Sequence, residues 1–297
     1  TGVGDSALRS NTTGQWNTAM GESALRSNTT GHANIGLGRE ALRQNTTGEY
    51  NTAVGSICLY SNTTGSHNHA LGRYALRYNT TGTYNAAFGY ASLENNTTAS
   101  YNTAYGGTAL RANTTGANNT AVGYTALYQN TTGTEGAALG FEALKSNTTG
   151  HSNVGIGNEA LENNTTASSN TAVGTKSLRA NTTATRNTAV GSDALKASTT
   201  GSNNTAVGKA AMEANTTGAD NVSVGKHCAL SNTTGSSIVA IGSNTLEGNT
   251  TGSFNTGVGQ GALNANTTAS NNTAIGGNAL INNTGGENTA VGKDALK

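Results

Sequence analysis

The chain has no proline, one tryptophan, three phenylalanines and two cysteines among 297 residues, and only 10% of its residues are charged. Each shortage excludes something. With 34% apolar residues and so few aromatic rings, there is too little bulk to fill a conventional globular core. Charge this sparse is equally wrong for a typical disordered segment. A formal net charge of +1 offers no basis for gripping nucleic acid through its phosphates. No apolar run approaches the roughly 20 residues that span a bilayer, so no membrane insertion is expected within this segment, and no signal peptide is visible. His32, His67, His69, His151 and His227 are scattered, and the acidic residues do not gather around them. No metal site, cofactor or catalytic constellation is expected, and the chain reads as non-enzymatic.

What the chain does have is glycine, asparagine and threonine in a fixed order. The seventeen residues Asn17–Ala33 recur to the end of the chain. The members of this unit name the columns used throughout, so that Gly4, Gly38 and Gly55 belong to the Gly21 column. That column is glycine in all eighteen copies; the Leu25 column is leucine in sixteen, with Met212 and Ala229 the exceptions. The Asn28 column, which includes Asn45, departs from asparagine only at Ser198. The spacing slips once, in the last unit, where Asn272 to Asn288 is sixteen because a threonine is missing after Asn283. A fixed short period over a whole chain is the mark of a solenoid.

The unit is too short for a helix pair, and its apolar residues do not fall at helical spacing. Short parallel β-strands joined by turns remain. One strand is expected over Asn17–Gly21 and a second near Ala24–Ser27, giving an all-β parallel β-solenoid, a β-roll of about seventeen coils over residues 1–297 and roughly 80 Å long. The segment begins and stops in mid-unit, as an uncapped piece of a longer fibre would. All charged residues fall in the Glu22, Ser23, Arg26, His32 and Ala33 columns, which must face solvent. Adjacent strand residues point to opposite faces. The Ala19 column is small, yet the Met20 column is Val, Ile, Leu, Met, Phe or Tyr, so both faces of this strand are expected to be covered. One lies inside the coil, and the other requires further copies of the chain.

The invariant glycines suggest a positive φ or a close backbone approach, whereas the Gly31 column accepts Ala99, Ala167, Ala184 and Ala269 and therefore asks for small size. Stacked asparagines and threonines are expected to form hydrogen-bonded ladders from coil to coil. Cys58 and Cys228 share the Ala24 column ten coils apart, roughly 48 Å at the strand spacing, and cannot be bridged within one chain.

The run Asn-Thr-Ala-Val-Gly-x-x-Ala-Leu resembles the head repeats of trimeric autotransporter adhesins, and the whole unit with its Asn-Thr-Thr-Gly resembles repeats of phage tail fibres and large bacterial surface proteins. The resemblance implies a left-handed β-roll of three chains about one axis, a homotrimeric rigid rod that presents a binding surface outside the cell or on a virion. The unit here is longer than the adhesin unit, and the sequence holds no coiled-coil stalk, membrane anchor or chaperone domain.

Two surface columns are candidate contacts for a glycan or receptor. Trp16, Tyr50, His67, Tyr84 and Tyr101 make an aromatic stripe in the Ala33 column, fit to stack on sugar rings or simply to stabilise the coil edge. Arg9, Arg26, Arg43, Arg77 and Arg111, interrupted by Tyr60 and Glu94, form a basic row fit for anionic glycans or merely a solvated face. Copies around His227-Cys228-Ala229-Leu230 and Ile238 break the pattern. Two other functions fit the same repeat: ice binding through stacked Thr29 and Thr30 columns, and a subunit of an end-to-end filament.

Overall fold

A computed structural model describes all of Thr1–Lys297, which divides into two compact units, Thr1–His151 and Ser152–Lys297. Both are parallel β-solenoids built of one short strand per coil. The first holds β1 (Gly2–Val3), β2 (Thr18–Met20), β3 (Ile35–Leu37), β4 (Thr52–Val54), β5 (His69–Leu71), β6 (Ala86–Phe88), β7 (Thr103–Tyr105), β8 (Thr120–Val122) and β9 (Ala137–Leu139). The second holds β10 (Val154–Ile156), β11 (Thr171–Val173), β12 (Thr188–Val190), β13 (Thr205–Val207), β14 (Val222–Val224), β15 (Val239–Ile241), β16 (Thr256–Val258), β17 (Thr273–Ile275) and β18 (Thr289–Val291). Within each unit every strand pairs in parallel with the next at the repeat period, Thr18 with Ile35 and Thr171 with Thr188, so equivalent residues stand in columns. The missing threonine of the last unit is absorbed without loss of register, since Thr273 still faces Thr289.

The strands stop after three residues because the backbone turns at once. Members of the Gly21 column have φ between 126° and 143°. A Cβ on Gly21 would lie 2.7 Å from the carbonyl oxygen of Gly38, so close approach and left-handed conformation both exclude a side chain.

The second strand expected over Ala24–Ser27 does not form. Ser23 and Leu25 are left-handed, and the whole Leu25 column lies at φ 48–54°. Non-glycine residues pay about 1 kcal/mol for this conformation. It is offset by hydrogen bonds to the next coil: the Leu25 N–H donates to the Ala41 carbonyl at 2.9 Å and the Ser27 N–H to that of Arg43 at 3.0 Å. The segment thus satisfies its backbone between coils, as a strand would, while bending tightly enough to close a narrow coil. Three N–H groups at the far corner, from Thr29, Thr30 and Gly31, converge on the single carbonyl of Thr46.

The core is thin. It consists of one leucine in most coils, replaced by Met212 and Ala229 in two, with the Ala19 and Ala24 columns around it, and is essentially inaccessible between Ala19 and Leu280. Each buried leucine contributes about 2 kcal/mol. Local compensations keep this core filled: Thr245 stands in the Ala24 column, and glycine at Gly257 makes room for its methyl, 2.7 Å from where a Cβ would sit. Ser223, in the Ala19 column, donates to the Cys228 carbonyl at 2.8 Å.

Two asparagine columns complete the interior. In the Asn28 column Nδ2 donates back to the Oδ1 of the preceding coil, Asn28 to Asn11 and Asn45 to Asn28 at 2.8 Å, and also to the carbonyl of its own corner residue; Asn215, which follows Ser198, makes only the second bond. The Asn17 column works differently. Its Oδ1 accepts the backbone N–H of the next coil, Asn34 to Asn17 at 2.9 Å, while Nδ2 donates to the Gly31 carbonyl at 2.8 Å. Buried amides are acceptable here because nearly all have both ends satisfied, the Asn181 Oδ1 and the Asn272 Nδ2 being exceptions.

Candidate functional site

The site has to be sought among the columns left on the surface. The Ala33 column, left-handed from Trp16 to Tyr101, throws its side chains outward at a corner. Tyr50, His67, Tyr84 and Tyr101 stack as a single pile, with centroids 5.0, 4.7 and 5.3 Å apart and planes within 7° of parallel. Their ring faces are therefore engaged with one another, and only the edges and the ends of the pile face solvent. Trp16 stands apart from the pile, tilted against His32 at 6.3 Å.

The Arg26 column is a paired stripe. Glu94 is the one acidic residue buried, at 6% exposure, and it is held between Arg111 at 2.8 Å and Arg77 at 3.8 Å. The hydrogen bond to Glu94 raises the Arg111 guanidinium pKa further above the ordinary arginine value. Arg77 also lies over the rings of Tyr74 and Tyr78. Arg43 donates to the Tyr60 hydroxyl, lies over its ring and sits 3.6 Å from Glu40. Arg9 and Arg26 are left without an acidic partner. Arg43, Arg77 and Arg111 are thus separated from one another by Tyr60 and Glu94, whereas Arg9, Arg26 and Arg43 follow one another in successive coils.

The outward face of the strands carries no Asp, Glu, Lys or Arg. The Met20 column is half exposed along its length, with Leu71 at 47% and Ile241 at 40%. The Thr18 column flanks it. In the second unit every strand carries Thr or Val in the first of these columns and Val or Ile in the second, from Val154 and Ile156 to Thr289 and Val291. In the first unit larger groups intrude, among them Met20, Leu71, Phe88 and Tyr105.

The Thr30 column is exposed in both units, whereas the Thr29 hydroxyl is spent on the next coil, donating to the Thr46 carbonyl at 3.1 Å. The structural residues Gly4, Gly21, Gly38, Gly55, Leu25, Leu42, Asn28 and Asn45 occupy the corners, core and ladder. Cys58 and Cys228 are free and buried. Burial pushes the Cys58 thiol up to about 12 and raises that of Cys228.

Two surface features have no counterpart in the sequence reading. A groove of about 660 Å³ runs over Ala180, Ala197 and Ala214, walled by Arg179, Lys196 and Glu213. It exists where three alanines follow one another in the Ser27 column. In the first unit, Tyr90, Tyr124 and Phe141 occupy the otherwise polar Glu22 column. Aromatic residues in a column whose other members are charged, polar or glycine were the available signal. No group of three or more His, Cys, Asp and Glu side chains is placed to hold a metal, and no helix is long and apolar enough to cross a membrane. No protein-family model matches the chain, and no curated protein matches it in sequence.

Proposed function

We propose that the chain is a non-enzymatic structural segment of an extracellular attachment fibre, of the kind formed by trimeric adhesin heads and phage tail fibres, and that it assembles as a homotrimer through its outward strand face. One observation carries this reading: the Met20 column is apolar in every coil and half exposed in a single chain. It forms a strip on the order of 500 Å² in each unit, a size at which exposed apolar surface marks an interaction site.

A second copy is the occupant this strip fits. It carries no charge, and a parallel copy offers the same column at the same spacing, so contact made at one coil is repeated at the next. The solvent columns with their charges stay outside such a contact. Static light scattering over a range of concentrations tests it, with an expected constant mass of three times 29.7 kDa. Val190→Lys together with Val207→Lys should dissociate the assembly. A monomer at all concentrations overturns the reading, and a mass that grows without limit points instead to an end-to-end filament.

Ice binding is the second reading, favoured by the regular Thr/Val and Val/Ile columns of β10–β18. It requires the same face to stay open to water. Thermal hysteresis from a monomeric chain supports it, and none from a trimer excludes it.

A further inference from the structure

We propose that Tyr84 and Tyr101 form an oxidative modification site, at which a one-electron oxidant joins the two rings into a dityrosine that fastens one coil to the next. The two residues are successive members of the Ala33 column, seventeen residues apart. Their ring centroids are 5.3 Å apart and their planes lie within 5° of parallel. At 51% and 59% exposure, both side chains are open to an oxidant in solvent. Of the ten tyrosines, these two make the one tyrosine pair stacked in parallel. His67 stands between Tyr50 and Tyr84. Tyr74 meets Tyr90 edge to face, at 6.0 Å with planes 64° apart, and its hydroxyl accepts an Arg73 N–H. Tyr105 and Tyr124 lie against Phe88 and Phe141, which have no phenol to oxidise.

The coupling follows from that placement. Each phenol gives one electron to the oxidant and its hydroxyl proton to water, leaving two tyrosyl radicals. These form a carbon–carbon bond between the ring carbons next to the two C–O groups. The hydrogens on those carbons then leave as protons and both oxygens are reprotonated, so the product is two hydrogens lighter than the pair. Hydrogen peroxide, turned over by a haem peroxidase, takes up the two electrons and two protons and becomes two waters. The coil spacing of about 4.8 Å holds the two backbones together, and exposed side chains change rotamer in picoseconds to nanoseconds, so the rings reach bonding geometry by rotation at the corner. Tyr101 ends the pile, since Asn118 follows it in the column, and it turns without breaking a second stack. The column holds Glu135, Arg186 and Asp220 in other coils and belongs to the solvent side, so the site is independent of the strand face that carries the proposed trimer.

The full chain treated with a haem peroxidase and hydrogen peroxide, then unfolded and cleaved after arginine and glutamate, provides the test. Cuts after Arg77, Glu94 and Arg111 release residues 78–94 and 95–111, which carry Tyr84 and Tyr101 separately. Mass spectrometry should find these two peptides joined, with fragment ions that place the bond at Tyr84 and Tyr101, while the chain keeps its single-chain mass on a denaturing gel. Tyr84→Phe and Tyr101→Phe keep a ring in the stack and remove one phenol, and each should abolish the joined peptide at an unchanged circular dichroism spectrum. Tyr90→Phe should leave it in place. The same treatment of the chain unfolded in urea should lose it, because the stack is then gone. No joined peptide, a bond at other tyrosines, a bond between separate chains, survival in Tyr84→Phe, or equal yield from the unfolded chain overturns the proposal.

Discussion

The amide oxygen of Asn181 and the hydroxyl of Ser198 are both buried in the same ladder, and neither has a hydrogen-bond partner. Elsewhere in the column an asparagine in the next coil supplies the missing donor, as Asn215 receives Nδ2 of Asn232 at 2.9 Å. An unsatisfied buried acceptor costs about 1–3 kcal/mol. Ser198→Asn is therefore expected to stabilise the second unit by about 1 kcal/mol, read as a raised urea midpoint at unchanged slope. The reverse change, Asn113→Ser, should lower it by a similar amount.

Two glycine columns that look alike should respond differently to alanine. Gly106 has φ 137°, and a Cβ there would lie 2.5 Å from the Gly123 carbonyl oxygen. Gly106→Ala should cost at least about 3 kcal/mol from strain and overlap together. At Gly116 the overlap with Gly133 is as close, 2.2 Å, but φ is ordinary and the same column holds a buried Ala99. The neighbouring corner can shift, and Gly116→Ala should cost under about 1 kcal/mol by the same measurement.

Removing Glu94 should expose the repulsion it now suppresses. With Arg77 and Arg111 only partly shielded, at 33% and 40% side-chain exposure, the loss is smaller than for a wholly buried pair. Glu94→Gln is expected to cost about 1–2 kcal/mol at low salt. Added salt should recover part of this by screening the two guanidinium groups, and thermal melts at two ionic strengths check it.

The Cys58 thiol makes the fold sensitive to alkali. Its folded pKa of about 12 lies above the ordinary value of 9.0. The unfolded chain therefore ionises first: the contribution is complete below pH 9, falls as pH rises from 9 toward 12, and is lost at about 1.4 kcal/mol per unit in that window. Cys58→Ala, which places the column's usual residue there, should flatten the dependence above pH 9 relative to the unsubstituted chain, as urea unfolding of both at several pH values checks. A thiol reagent should leave Cys58 and Cys228 unmodified until the chain unfolds.

The repeat determined the topology by itself. A period that holds from Gly4 to Gly292 permits one register, and parallel coils follow because identical residues can stack only if each coil repeats the last. The invariant glycines foretold their left-handed backbone, and the asparagine column foretold its ladder, since a buried amide has to find a partner at the coil spacing. The charged columns likewise announced the solvent side, Glu94 excepted.

Tertiary structure decided what is not periodic or local. No propensity places Leu25 in a left-handed conformation; hydrogen bonds to the next coil and burial of its side chain impose it, and the expected second strand is lost as a result. Whether Arg77 is a free cation or a paired one depends on Glu94 a full coil away. Whether Tyr84 offers its face to a partner depends on His67 and Tyr101 above and below it. Such contacts join residues a coil apart across the fold, where geometry and not sequence neighbourhood sets the distance.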